Sequence, residues 1–252
     1  MARAAFLILL VLALAGLPAI AQGPKKLLLL GQGPDGHPPQ THEYVAGLRR
    51  LAELLAPVDG VEVQFVNADE PWAEGPELLK AADGAVLFLA EGARWCQADP
   101  RRYDALAQLA ARGGGLSVLH WGMGTRSAEP IQPFLKLFGA CHGGPDRKYQ
   151  VVDTDVRISD PAHPIARGLK DFRIRDEFYY QLKRVAPADG LHPLLDAMID
   201  DRLQMVAWAY ERPDGGRSFG FSGLHFHDNW HRAEYCTLVK QGVLWTLKIP
   251  SE

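Results

Sequence analysis

The residues of this chain that could do chemistry are histidines and carboxylates, and one histidine stands at a telling position. Residues 113–122 read GGGLSVLHWG, a short apolar run that ends at His120 and is followed by Gly122. In α/β enzymes, a strand that ends in a tight, glycine-permitted corner presents one side chain, usually a nucleophile. A histidine there can accept a proton or bind a metal, but it seldom replaces Ser or Cys as the attacking group. Other candidates are His37 and His42 in the polar stretch after the first apolar run, His142, Asp176 and Glu177 in DEFYY, and His225 and His227 in LHFHDNW. We expect His120, Glu177 and His225 to be catalytic. The same three residues form a candidate metal set for Zn or another first-row divalent ion with a position open for water, although no HExxH motif joins them. If the strand before them continues, alternation places His225 and His227 on one side and Phe226 on the other.

Aromatic side chains adjoin these polar residues. Sugars present apolar C–H faces ringed by hydroxyls, which suits aromatic platforms beside polar groups. Trp121, Tyr179 and Trp230, with His227, His37 and His42, are therefore the expected substrate-binding residues, and a small-molecule carbohydrate is the expected partner. Other positions read as structural. His163 and His192 each precede a proline and belong to turns, His231 is solvated at a helix start, Ser117 lies inside a strand, and Trp208 and Trp245 fall in apolar periodic segments. Gly31-Gln32-Gly33 lacks the third glycine of a dinucleotide loop and runs into Pro34, which argues against a nicotinamide cofactor.

The elements that must position these residues follow from periodicity. Residues 26–30 form a continuous apolar run, as a strand covered on both faces does. From Thr41, the expected N-cap, apolar residues recur at helical spacing as far as Pro57. Strands at 61–66, 85–90 and 116–119 alternate with helices at 76–82 and 99–112, the latter opened by Asp99-Pro100 and stopped at Gly113. Parallel strands with crossover helices bind ligands at their carboxyl ends, which puts the loop 31–40, the segment after residue 90 and the His120 corner on one edge. The second half is richer in strands (149–156, 172–182, 205–210, 218–222) before a closing helix at about 230–247.

Composition narrows the class. The first 21 residues, with Arg3, an apolar run and Ala19-Ile20-Ala21, read as a cleaved secretory signal, because about 14 apolar residues fall short of the roughly 20 a spanning helix needs. Residues 22–252 then form a single domain, exported to the periplasm or secreted, with no membrane attachment after cleavage. Of 252 residues, 27 are Lys or Arg and 30 Asp or Glu, for a net charge of −3. The basic residues are scattered, so nucleic acid is not an expected partner. Cys96, Cys141 and Cys236 are far apart, which excludes a CxxC motif and allows at most one disulfide. A homo-oligomer is compatible with the sequence.

Five segments in order, GGGLSVLHWG, HPIARGL (163–169), DEFYY (176–180), MVAWAYER (205–212) and GGRSFGFSGLHFHDNW (215–230), make the chain similar to the ThuA-like family across about residues 25–247. The resemblance implies a class I glutamine amidotransferase-like (flavodoxin-like) fold, a three-layer α/β/α sandwich with a mostly parallel, doubly wound sheet. It also implies a link to sugar metabolism through oxidised (3-keto) disaccharides. Amidotransferases carry Cys at the corner where this chain has His120, so glutaminase chemistry is not expected. The leading expectation is an exported lyase or hydrolase that cleaves or rearranges keto-glycosides by acid–base, metal-assisted chemistry. The alternative is a non-catalytic carbohydrate-binding module that lost the nucleophile.

Overall fold

The computed structural model describes residues 23–250, so the expected signal and its cleavage point lie outside the described residues. Strands and helices alternate through the first half: β1 (Lys25–Gly31), α1 (Tyr44–Leu55), β2 (Val61–Asn67), α2 (Gly75–Lys80), β3 (Gly84–Phe88), α3 (Gly92–Ala98), α4 (Pro100–Ala111) and β4 (Gly115–Leu119). The rest comprises β5 (Gly124–Thr125), α5 (Ile131–Phe138), β6 (Ala140–Gly143), β7 (Lys148–Ile158), β8 (Phe172–Tyr180), β9 (Lys183–Arg184), β10 (Leu191–Ile199), β11 (Arg202–Glu211), β12 (Arg217–Phe221) and α6 (Ala233–Thr246).

Nine strands form one sheet in the order β2-β1-β3-β4-β12-β11-β10-β7-β8, and β5, β6 and β9 form a small second sheet. Leu27 and Leu29 of β1 pack into the cluster shared with α1 and α6, while Leu28 and Leu30 pack into the cluster shared with α2 to α5. The continuous apolar run of β1 is therefore buried on both faces, and the domain has three layers, α/β/α.

The sheet is mixed, which corrects the expectation of a mostly parallel one. From β2 to β12 the pairings are parallel, and from β12 to β8 they are antiparallel. Short turns join β10 to β11 and β11 to β12, which suffices for antiparallel neighbours, whereas parallel ones need a crossover of a dozen residues or more. Between β10 and β11 the turn is Asp200-Asp201, both with positive φ (51° and 57°), which suits the twist of a two-residue hairpin. The expected start of α1 at Thr41 also moves. His42 has φ 53°, so the helix cannot run through it and begins at Tyr44, while Thr41 bridges to Phe226. At α4 the expectation holds, with the Asp99 carboxylate accepting from Arg101 N at 2.9 Å. No helix among the described residues is long and apolar enough to cross a membrane.

Candidate functional site

Because β1, β3, β4 and β12 run parallel, their carboxyl ends open on one edge, and the loops that follow them converge there. His120 is the first residue after β4, at a corner with φ 44°. The next turn is tight. A Cβ at Gly92 would collide with the Gly122 carbonyl, so the segment after β3 passes the corner only because glycine stands there. The corner is not exposed, however. His120 is 0% accessible, covered by His42, His225 and the ring of Tyr179, which stacks on it at 4.5 Å.

Hydrogen-bond partners decide which ring nitrogens carry protons. His120 Nδ1 lies 2.7 Å from the Ser222 carbonyl, which can only accept, so Nδ1 donates and Nε2 is left with its lone pair. His42 Nδ1 lies 2.9 Å from the Asp35 carboxylate, whose same oxygen accepts the Tyr44 hydroxyl at 2.6 Å. His42 Nε2 is therefore also a lone pair, and it faces His120 Nε2 at 3.0 Å. His225 Nδ1 is 3.2 Å from His120 Nε2, and Glu177 Oε1 is 3.5 Å from His225 Nδ1 and 3.8 Å from His120 Nε2. The Tyr179 hydroxyl, at 3.1 Å, can donate to His120 Nε2, as can His225 Nδ1 in its Nδ1–H tautomer.

Lone pairs that face one another repel unless a cation lies between them. A tetrahedral ion with Zn–N bonds of about 2.0–2.1 Å holds its donors about 3.3 Å apart, close to the spacing of this cluster. The outer contacts fit as well, because metal-bound histidines donate their second N–H to a carboxylate or carbonyl, as His42 does to Asp35 and His120 to Ser222. The residues present thus suit a divalent first-row ion, with His42, His120 and His225 as the donors and the Glu177 carboxyl beside them.

Burial pushes the imidazoles toward the neutral form that ligation requires: His120 well below its ordinary value, His42 downward and His225 to about 4, and it lowers the neighbouring His142 to about 3 as well. Burial pulls the Asp35 carboxyl upward, but the hydrogen bonds from His42, Tyr44 and His37 outweigh it and hold Asp35 ionised. Glu177 moves the other way, raised to about 7 by burial and by the neighbouring Asp176. Below pH 7 the proton that a neighbouring cation would displace therefore sits on Glu177 and not on the histidines. Zn²⁺ uptake at pH 6 should release about one proton, and affinity should rise as pH increases through about 7 and then level off. Calorimetry in two buffers of different ionisation enthalpy would measure this, and uptake without proton release would contradict it.

Asp176 points to the opposite face of β8 and is fully buried. Its carboxylate accepts from Leu224 N at 2.7 Å, His225 N at 3.2 Å and the Tyr235 hydroxyl at 3.0 Å, so it clamps the loop that carries His225. The sequence offers Asp176 as a candidate for the chemistry, whereas its place on the buried face of β8 makes it a support of the His225 loop.

The structure brings His120, Glu177, His225 and His42 together, with His37 stacked on His42 at 3.7 Å. A cavity of about 100 Å³ above them is lined in part by Trp121, His142, Arg147, Tyr149 and Tyr179. Trp230 and His227 lie elsewhere. β12 ends at Phe221, so strand alternation does not extend to residues 225–227. Trp230 is buried against Phe88 and Gly47, and His227 faces α1 beside Glu43 and Arg50. Asp35, Tyr44, Arg147 and Tyr149 were missed. Asp35 could have been found from its spacing to His37 and His42, since a carboxylate near two histidines is an ordinary supporting partner. His163 is structural as expected, its Nδ1 accepting from Ile165 N. The cysteines are not activated: burial raises the Cys141 thiol to about 12 and pushes Cys96 and Cys236 up as well.

A family model described as ThuA, trehalose utilisation, matches residues 35–246. No curated protein matches the chain in sequence. Among solved structures, a ThuA-like protein from Parabacteroides merdae superposes with a TM-score of 0.67 at 14% identity, covering 91% of this chain and 92% of that one. One from Bacteroides uniformis gives 0.66 at 16% identity, over 92% and 95%. A cytoplasmic protein from Salmonella typhimurium gives 0.61 at 14% identity, over 87% and 98%. At these identities the structural likeness speaks for the fold.

Proposed function

The chain belongs to the ThuA family of trehalose utilisation, a family of sugar metabolism, and from that premise we propose that it cleaves or rearranges an oxidised (3-keto) glycoside at a divalent metal held by His42, His120 and His225. The observation that carries this reading is the pair of unprotonated nitrogens, His42 Nε2 and His120 Nε2, facing each other at 3.0 Å, with His225 Nδ1 3.2 Å from His120 Nε2 and the Glu177 carboxyl beside them. Bound there, the ion would polarise a substrate carbonyl as a Lewis acid.

A ketone at C3 acidifies the C2–H bond. The Glu177 carboxylate, at the lip of the imidazole cluster, takes the C2 proton, and the electron pair left behind is delocalised onto the C3 oxygen. As that pair returns to form a C1=C2 double bond, the C1–O bond breaks and the leaving oxygen recovers the proton from Glu177. Tyr179 keeps the His120 ring in place by stacking, and Asp35 and the Ser222 carbonyl fix the tautomers of His42 and His120. The leader-like first 21 residues support an exported protein.

Purified protein incubated with 3-keto-trehalose should release glucose, lose that activity after chelation and regain it with Zn²⁺ or another first-row ion. If the sugar binds but no metal condition yields turnover, the protein is a carbohydrate-binding module. If chelation leaves the rate unchanged, the acid–base groups act without a metal.

A further inference from the structure

We infer that the β7–β8 ribbon beside the site is a second sugar subsite, where the leaving-group ring of a disaccharide packs on Tyr149 and Val151 and is hydrogen-bonded by Arg147. The inference rests on the proposed glycoside chemistry for its orientation and on separate observations for its location.

Tyr149 is paired directly opposite Tyr179, and Val151 opposite Glu177, in the antiparallel β7–β8 register. Residues directly opposite in an antiparallel pair project from the same face. Tyr149 and Val151 therefore stand on the face that carries Glu177 and Tyr179, while the other face of the ribbon, with Ile174 and Phe178, is sealed in the core. Both are large apolar side chains left open to solvent, Tyr149 at 58% and Val151 at 41%. Scattered exposed apolar residues need no explanation, but Tyr149 lines the cavity beside the histidines, and Val151 follows it on the same face of the ribbon.

The aromatic contacts run continuously from this surface to the histidines. The Tyr149 ring meets His142 edge-on at 6.2 Å, His142 stacks on Tyr179 at 3.9 Å, and Tyr179 stacks on His120. This row forms one wall of the cavity over the histidine cluster and leads out of it to the Tyr149 surface. The cavity over the cluster, about 100 Å³, is well below the roughly 300 Å³ at which ordinary ligand pockets begin. It holds the reacting end of a ligand, so the remainder lies outside, across Tyr149 and Val151. Arg147 lines the same cavity, donates to the Gly144 carbonyl at 3.2 Å and makes no ion pair among the described residues, which leaves guanidinium donors for hydroxyls. An aromatic face beside uncommitted donors suits a neutral pyranose ring.

The test uses trehalose (two rings) and glucose (one ring), which lack the keto group and so are bound without turnover. Titration calorimetry of the metal-loaded wild-type protein should show trehalose binding at least about tenfold more tightly than glucose, a difference of about 1.4 kcal/mol. Tyr149→Ala should reduce that preference below about threefold, and Tyr149→Phe should retain it, because stacking and not the hydroxyl carries the contact. The subsite is overturned if the wild type shows no two-ring preference, if Tyr149→Ala keeps it, or if sedimentation shows that Tyr149 is covered in a dimer which Tyr149→Ala dissociates. An intact preference with no turnover of 3-keto-trehalose would instead reject the proposed reaction and leave the subsite standing.

Discussion

Replacing His120 with Ala should lower turnover of 3-keto-trehalose by about a hundredfold or more and weaken Zn²⁺ binding by more than the 10- to 100-fold typical of losing an outer-shell partner. His120 Nε2 is the donor atom nearest to both other imidazoles, at 3.0 Å from His42 and 3.2 Å from His225, so its removal leaves no compact three-nitrogen face. The substitution should also destabilise the fold. His120 is fully buried, its loss leaves the Ser222 carbonyl without a donor, and Ala is not favoured at φ 44°. Stability and activity must therefore be measured together, by thermal melting and by single-turnover rates below the melting transition. Glu177→Gln, nearly isosteric, separates the two effects, since it should lower the rate with little change in melting temperature. Normal turnover in either folded variant would remove that residue from the chemistry.

Asp176→Ala should cost about 3 kcal/mol or more, read from urea unfolding at pH 7.5. Burial raises this carboxyl to about 6, against the bonds from Leu224 and Tyr235, so at that pH it is ionised and accepting. Its removal strands two backbone N–H groups and a tyrosine hydroxyl in a dry interior, each costing about 1–3 kcal/mol. Because the freed loop carries His225, Zn²⁺ affinity should fall too, although Asp176 touches none of the proposed donor nitrogens. A variant as stable as wild type would show that the loop is held by other contacts.

The parallel half of the fold was legible because its signals are local. The apolar run of β1, the Asp99-Pro100 start of α4 and the glycines before β4 each act within a few residues. What escaped depends on less regular chemistry. β10 contains Pro193, tolerated at a register shift against β11, and a proline inside an apolar run argues against a strand. α5 is eight residues long and holds Pro133, so it lacks the turns needed to show a period. In the site, His120 and Glu177 were found because a corner and a strand have defined directions. His225 reached the cluster on a loop pinned by Asp176, and the strand periodicity applied to it therefore misplaced His227. Trp230 was read as a platform because it stands near polar residues in sequence, whereas its ring is buried between α1 and the sheet.

Where the donors come from in the chain has a consequence for durability. His42 follows β1, His120 follows β4 and His225 follows β12, so an ion held by them would join three distant segments and close loops that span residues 42 to 225. Cross-links over such lengths restrict the unfolded chain most, a task often given to disulfides. Here Cys96, Cys141 and Cys236 are all free. Ligation would thus serve as the staple, and the folded state would be indifferent to thiol reductants yet sensitive to metal scarcity.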